Sequence, residues 1–341
     1  MDFTEFKKRH QKKIVQEVPI KVCQQPLVSV CVQTFQHKNF IKECLDGILM
    51  QKTNFRVEIL LGDDESNDGT REICLNYAEE HPDKIRLFLH HRENNIYING
   101  KATGRFNFLN NLYCAEGKYI AFCEGDDYWT DPFKLQKQVE FLEKNANYIA
   151  CVHNSYFSDE SKRKIITKIF SNLRTGQVQL KDICPTRSFH TASLLFRQDA
   201  FKNMDLKFFG DKVISGDKFL FMHFWLTGNI FYDQTPMAVY RRNAGGMSKS
   251  KNLNRFMDAD IKMYDYFKKR VPEEYKGELE EAKNYFKVNR FNYALENNKN
   301  YRLLSYYLAL IPIAGNSKHL PHFKFKKATK AFLNKILLAN G

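Results

Sequence analysis

The chain has 341 residues, 43% of them hydrophobic, which is long enough to bury a substantial core in one large α/β domain or two smaller ones. Its eight cysteines show no Cys-x-x-Cys spacing and several sit inside apolar runs, so neither a zinc site nor a disulfide framework is indicated. The formal net charge of +14 favours anionic partners. The absence of a secretory apolar region, and of any apolar run reaching the ~20 residues of a spanning helix, predicts a cytoplasmic protein.

Residues 1–25 read as a helical lead-in. From Leu27 the pattern alternates strand and helix, which implies a mostly parallel sheet flanked by helices. "LVSVCV" is a β-branched strand, and "NFIKECLDGILMQ" places Ile41, Leu45 and Ile48 at helical spacing. "RVEILL" is a second strand, followed by the turn-rich "GDDESNDGT" and a helix through "REICLNYAEEH". "KIRLFLH" is a third strand; a polar loop and a helix around "RFNFLNNLYCAEG" lead to a fourth, "YIAFC". Asp131 suits a helix N-cap and Pro132 the position after it, with Leu135, Val139 and Leu142 along one face. Further strands are predicted near "ACVHNSYF", "TASLLFR" and "IFYDQTPMAVYRR", with an apolar helix at "DKFLFMHFWL". From about Asn254 the pattern is helical and polar.

Two acidic loops follow two of these strands. Loops at the carboxyl ends of parallel strands lie side by side and are where ligands bind, so Asp63, Asp64, Asp126 and Asp127 can face one cleft. Aspartates that stay ionised at close range need a cation, and all-oxygen ligation selects Mg²⁺ or Mn²⁺. The bland alternative is a pair of solvated turns, since Asp is a common turn residue.

"VSVCVQTF", then "VEILLGDDESNDGT", then "AEGKYIAFCEGDDYW", in this order and spacing, closely resemble the inverting family-2 glycosyltransferases of GT-A fold. The resemblance covers roughly residues 26–250, divided at about residue 130 into nucleotide-binding and acceptor halves, with residues 251–341 as a helical basic extension. It implies that Gln33, Thr34 and Phe35 line a uracil and ribose pocket, that Asp64 accepts from the base with Asp63 supporting the loop, and that Asp126 faces ribose or sugar. It also implies that Asp127 binds a metal, Mn²⁺ or Mg²⁺, bridging the donor diphosphate, while Glu124 occupies a variable position. Asp217, in "SGDKFL", stands where the family has its general base; the bland reading is a helix N-cap. "VYRRNAGGMS" resembles the segment that closes over the diphosphate, which implies that Arg241 and Arg242, beside Gly245 and Gly246, clamp phosphate oxygens. Here Asn243 replaces the family His, and His190 is the nearest substitute by position. Arg92, Lys101 and Arg105 are candidates for nucleotide contact; the alternative is a solvated basic loop.

The processive Q-x-x-R-W signature is absent, so the resemblance implies a single-addition transferase using a nucleotide-sugar, a UDP-sugar in the first instance, and a saccharide or lipid-linked saccharide acceptor in surface polysaccharide assembly. After Glu296 there is no acidic residue but eight basic ones, ending in "HFKFKKATKAFLNKILL". Such a helix either lies on an anionic bilayer or packs on the domain with a solvated lysine face. No nucleic-acid-binding motif accompanies the charge. The competing readings are a sugar nucleotidyltransferase, which would need a glycine- and basic-rich loop in place of "QTFQHKNF", and a non-catalytic nucleotide-sugar or membrane-surface binding protein.

Overall fold

Val28 to Val32 are buried on both faces of a seven-residue strand, β2 (Val28–Thr34), because it pairs in parallel on either side and carries helices above and below. β1 (Gln16–Val18) precedes it, and β3 (Val57–Asp63), β4 (Ile85–Leu89) and β7 (Tyr119–Phe122) complete the central sheet, with β5 (Ile96–Ile98) and β6 (Lys101–Thr103) forming a separate hairpin. β4, β3, β2 and β7 run parallel in that spatial order; β1 closes the edge antiparallel to β4. Beyond β7 the sheet becomes mixed. It continues through β8 (Tyr128–Trp129), β9 (Tyr148–Asp159), β10 (Lys164–Lys168), β11 (Gly176–Gln177), β12 (Leu195–Arg197) and β13 (Asn229–Arg242), in the path β7-β12-β9-β13-β11 with β10 on β9 and β8 on β13. β12 is antiparallel to both neighbours, whereas β9 and β13 are parallel.

The computed structural model describes residues 1–19, 25–98, 100–159, 164–185, 189–242, 253–296 and 306. Asn243, Gly245, Gly246 and the basic residues from Lys299 onward lie outside them. Two compact units divide the chain, one of residues 1–178, 189–212 and 223–246, the other of 179–188, 213–222 and 247–341.

In the first unit, α2 (Ile41–Leu49), α3 (Thr70–Glu80), α4 (Arg105–Cys114) and α5 (Lys134–Lys144) pack on the sheet, and α1 (Phe3–His10) packs on α4. Ile41, Leu45 and Ile48 of α2 and Leu135, Val139 and Leu142 of α5 share one core with Val30, Val32, Ile59, Leu61 and Ala121. α4 uses buried amides as well as apolar groups: Asn107 donates to Gly62 O at 2.7 Å, and Asn111 to Val32 O and Leu60 O at 3.1 and 3.0 Å. Gly62 makes this possible, since a Cβ there would lie 1.9 Å from Asn107 Oδ1. α6 (Asp199–Lys202) and α7 (Leu206–Lys212) follow β12.

The second unit contains the start of α8 (Gly216–Thr227), with α9 (Leu253–Lys268) and α10 (Lys276–Glu296). The ion pairs Asp258 to Arg290 (2.5 Å), Asp265 to Lys283 (2.7 Å) and Lys268 to Glu280 (2.7 Å) step in opposite directions along α9 and α10, which makes them an antiparallel hairpin. No helix among the described residues is long and apolar enough to cross a membrane.

Local expectations are corrected at three places. α5 begins at Lys134, not at Pro132: Pro132 O accepts from Lys52 N at 2.8 Å, and Asp131 accepts from Phe133 N at 2.8 Å and from Lys137 Nζ at 2.6 Å, so Asp131 and Pro132 form a turn ahead of the helix. The lead-in holds a strand as well as a helix, because three exposed residues find their ladder only on β4. In "TASLLFR" only Leu195–Arg197 is strand, the first residues forming a 3₁₀ turn.

Candidate active site

The carboxyl ends of β2, β3 and β7 carry three loops that are fastened to one another. Asp64 N donates to Thr34 O at 3.0 Å and Gly125 N to Gln33 O at 2.9 Å. The loop after β2 is fixed to the loop after β3 by Gln36 N to Ser66 Oγ, His37 N to Thr70 Oγ1 and Lys38 N to Asp68 Oδ2, at 3.0, 2.8 and 3.1 Å. Gly125 passes so close that a Cβ would meet Thr34 Oγ1 at 2.7 Å and His37 Nδ1 at 2.9 Å.

One cluster forms around Asp64. Its Oδ2 accepts from Arg92 Nη1 at 2.9 Å and Asn95 Nδ2 at 3.1 Å, and the same guanidinium lies 3.9 Å over the ring of Phe35. Burial pushes the Asp64 carboxyl up to about 6, against the lowering effect of Asn95 and Arg92 and with the support of Asp63 and Glu65. Asp63, fully buried, accepts from Arg71 Nε at 2.6 Å and Ser66 N at 3.2 Å, while Arg71 also donates to His90 O. Asp63 therefore braces the loop from beneath, and Asp64 faces the aromatic and the arginine.

The second cluster belongs to the loop after β7. Asp127 accepts at Oδ1 from Arg241 N at 2.8 Å, and its Oδ2 lies 2.7 Å from His190 Nε2, whose Nδ1 is 2.9 Å from Ser155 Oγ. Burial pulls the His190 pKa down, but the Asp127 charge and hydrogen bond outweigh it and raise it above the ordinary value. Glu124 turns the same way. Each of Glu124, Asp127 and His190 offers a ligand atom, all within 4.8 Å of one another. Glu124 Oε2 is buried and accepts no hydrogen bond, and burial, then Asp127, push this carboxyl up to about 7. Asp126 is more open, 22% exposed at the side chain, with His37 Nε2 at 4.0 Å.

The remaining expected residues are placed as follows. The Arg241 guanidinium donates to Asp126 O at 3.1 Å, pairs with Glu43 and lies 4.2 Å over Tyr128, so it is engaged with the back of the acidic loop. Arg242 ends β13, exposed. Arg105 opens α4 and its guanidinium stacks 3.9 Å over Phe209. Lys101 lies on β6. Asp217 belongs to the second unit, in the first turn of α8 rather than at its cap, and half-buried. The residues on either side of it are tied down by one carboxylate: Asp260 of α9 accepts from Ser215 Oγ at 2.7 Å and Lys218 Nζ at 2.6 Å.

Glu124, Ser155, Arg71 and Asp260 enter from the tertiary structure. Glu124 had a signal, three carboxylates in four residues; Ser155 and Asp260 had none, being single residues inside a strand and a helix.

Residues 29–205 match the model of glycosyl transferase family 2. A protein of Mycobacterium tuberculosis, Rv1520, is 33% identical over 230 residues, which are 67% of this chain and 62% of that protein, so the chain spans under two thirds of that relative's length. The uncharacterized glycosyltransferase EpsJ of Bacillus subtilis is 26% identical over 260 residues, 71% of each chain. Among solved structures, S. aureus TarS 1–349 in complex with UDP-GlcNAc superposes with a TM-score of 0.60 at 20% identity, over 83% of this chain and 79% of that one. The mannosyltransferase PcManGT from Pyrobaculum calidifontis, in complex with GDP-Man and Mn²⁺, gives 0.55 at 20% identity, over 98% and 86%. With strands β4, β3, β2 and β7 in parallel, acidic loops at their carboxyl ends and the family model matched over more than half its length, the chain belongs to glycosyl transferase family 2 and has the GT-A fold.

Proposed function

We propose that the protein is an inverting, metal-dependent glycosyltransferase that moves one sugar from a nucleotide-sugar, in the first instance a UDP-sugar, to a saccharide or lipid-linked saccharide acceptor in surface polysaccharide assembly. The observation that carries this reading is the presence of two unlike clusters at the carboxyl ends of β2, β3 and β7: an aromatic, an arginine and an acceptor carboxylate at Phe35, Arg92 and Asp64, and a donor set that could hold a cation at Glu124, Asp127 and His190. The names of relatives support it: TuaG of Bacillus subtilis, 29% identical over 180 residues, is a putative teichuronic acid biosynthesis glycosyltransferase.

Each group has a task the chemistry requires. Asp64 receives a base N–H while Phe35 and the Arg92 guanidinium cover its face. Gln33 and Thr34, with Oγ1 of Thr34 and Nε2 of Gln33 buried without a partner, supply polar contacts to the nucleoside, and Asp126 meets ribose or sugar hydroxyls. Glu124, Asp127 and His190 fit Mn²⁺ or Mg²⁺: oxygen donors predominate, and the Glu124 oxygen without a hydrogen-bond partner is what a cation would satisfy. Bound there, the ion would neutralise charge on the departing nucleoside diphosphate. Asp217 takes the acceptor hydroxyl proton, as a carboxylate with its turn fixed by Asp260. Arg105, Arg241 and Arg242, the last exposed at the end of β13, are the candidates for further contact with the donor.

The test is a thermal-shift screen of UDP-, GDP-, CMP- and dTDP-sugars with and without Mn²⁺, followed by transfer assays of Asp217→Asn. A UDP-sugar should stabilise, more with Mn²⁺, and Asp217→Asn should lose transfer while keeping UDP binding. Stabilisation by none of the donors would overturn the transferase reading and favour a membrane-surface binding protein.

A further inference from the structure

The two most exposed large apolar side chains among the described residues are Ile14, at 83%, and Tyr97, at 60%. Both flank a single clamp. Asn94, buried, accepts at Oδ1 from Lys12 N at 2.7 Å and Lys13 N at 2.8 Å, and donates from Nδ2 to Lys13 O at 2.9 Å. Three hydrogen bonds from a buried amide thus fix the bend that sets Ile14 into solvent, with exposed Lys12 and Lys13 immediately before it. Tyr97 follows Asn94 by three residues on β5, where Ile96 and Ile98 are buried and Tyr97 is turned to the other face. An isoleucine fixed in water leaves unburied the apolar area that a partner or an acyl layer would cover.

Helix α1 runs directly into this bend. Phe6 is buried against Phe106 and Tyr113, Phe3 stacks on Tyr113 at 5.0 Å, and Tyr113 donates to Met1 O. With that face pinned, Lys7, Lys8 and Arg9 are exposed. Arg9 pairs with Asp211 and Lys13 lies 3.9 Å from Glu93, whereas Lys8 and Lys12 have no ion-pair partner among the described residues.

We propose that Ile14, Tyr97 and the lysines at 7, 8, 12 and 13 form a contact surface for an anionic phospholipid bilayer, Ile14 entering the acyl boundary while the lysines meet the headgroups. An acidic soluble partner would match the lysines alone; lysines, an amphipathic ring and an exposed alkyl group are together the side-chain types that a bilayer's headgroups, interface and acyl boundary accept. The 3₁₀ helix Arg92–Asn94 joins this bend to the Asp64 cluster, since Arg92 donates to Asp64 and Asn94 holds the bend. The inference goes beyond the transferase reading and does not depend on it.

The test uses the full chain without donor or metal, sedimented with vesicles of phosphatidylcholine alone or mixed equally with phosphatidylglycerol. Binding is expected to the mixed vesicles only. Lys8→Ala with Lys12→Ala should weaken it about 25-fold, at about fivefold per lysine, and Ile14→Asp at least tenfold. In Ile14→Trp the added fluorescence should shift to the blue on mixed vesicles. These positions are exposed, so the variants keep the fold, checked by their melting temperature. Equal binding to both vesicle types, no binding by the wild type, or variants that bind as the wild type does would each overturn the proposal; the last outcome would assign any membrane binding to the basic tail beyond Glu296.

Discussion

Nε2 of His190 lies 2.7 Å from Oδ2 of Asp127, between two side chains no more than 4% exposed and 63 positions apart in the chain. A buried imidazole held between a carboxylate and the Ser155 hydroxyl has its ring orientation set from both sides. Mn²⁺ binding in the presence of UDP, followed by calorimetry, should therefore weaken by at least tenfold in His190→Ala and in Glu124→Gln, and by less in Ser155→Ala. Unchanged Mn²⁺ affinity in both His190→Ala and Glu124→Gln would remove these residues from the cation site.

UDP affinity should depend on pH through Asp64. Its pKa is raised to about 6, chiefly by burial, so the carboxylate is present above that pH and is lost as pH falls through it. Affinity is expected to decline from pH 7.5 to 5 with a midpoint near pH 6, and Asp64→Asn should bind weakly with that pH dependence gone. A wild-type profile flat across the interval would refute the assignment.

Arg71 shields the Asp63 carboxylate, which is fully buried. Removing one partner of such a pair leaves a charge without compensation, so Arg71→Met should cost about 3 kcal/mol in urea unfolding, more than Asp63→Asn costs. The reverse order would show that Asp63 is held mainly by Ser66 N.

Lys134 is buried, donates to Gln138 Oε1 at 2.8 Å and lies 4.0 Å over the Trp129 ring. Burial lowers its pKa to about 7, so between there and the ordinary lysine range the unfolded chain carries a proton that the folded chain has released. Stability should rise with pH across that window. Unfolding midpoints at pH 7 and 9.5 should show this gain in the wild type and a smaller one in Lys134→Met.

Adding a methyl at Gly62 should displace Asn107, which occupies the space beside it and holds the Gly62 carbonyl. Gly62→Ala is expected to lower stability by about 1–3 kcal/mol and to weaken UDP binding, because Asp63 and Asp64 follow directly. Stability and affinity both at wild-type values would mean that α4 shifts to accommodate it.

The parallel strands β2, β3, β4 and β7 were legible because each is a short apolar run bounded by turn residues, and the acidic loops because three carboxylates crowd into four positions. β1, β5 and β6 were not, since three-residue strands have no periodicity of their own and take their register from a neighbour. The sequence by itself determined the order of the parallel strands and the helices between them, the family resemblance and the strand ends at which carboxylates collect. Only the tertiary structure decided which carboxylates meet: Asp63 turns under the loop to Arg71, Asp64 outward to Arg92, and Asp127 inward to His190. Neighbouring aspartates carry the same local pattern, and their roles separate only when remote segments bring a cation, an aromatic ring or an imidazole to one side of each.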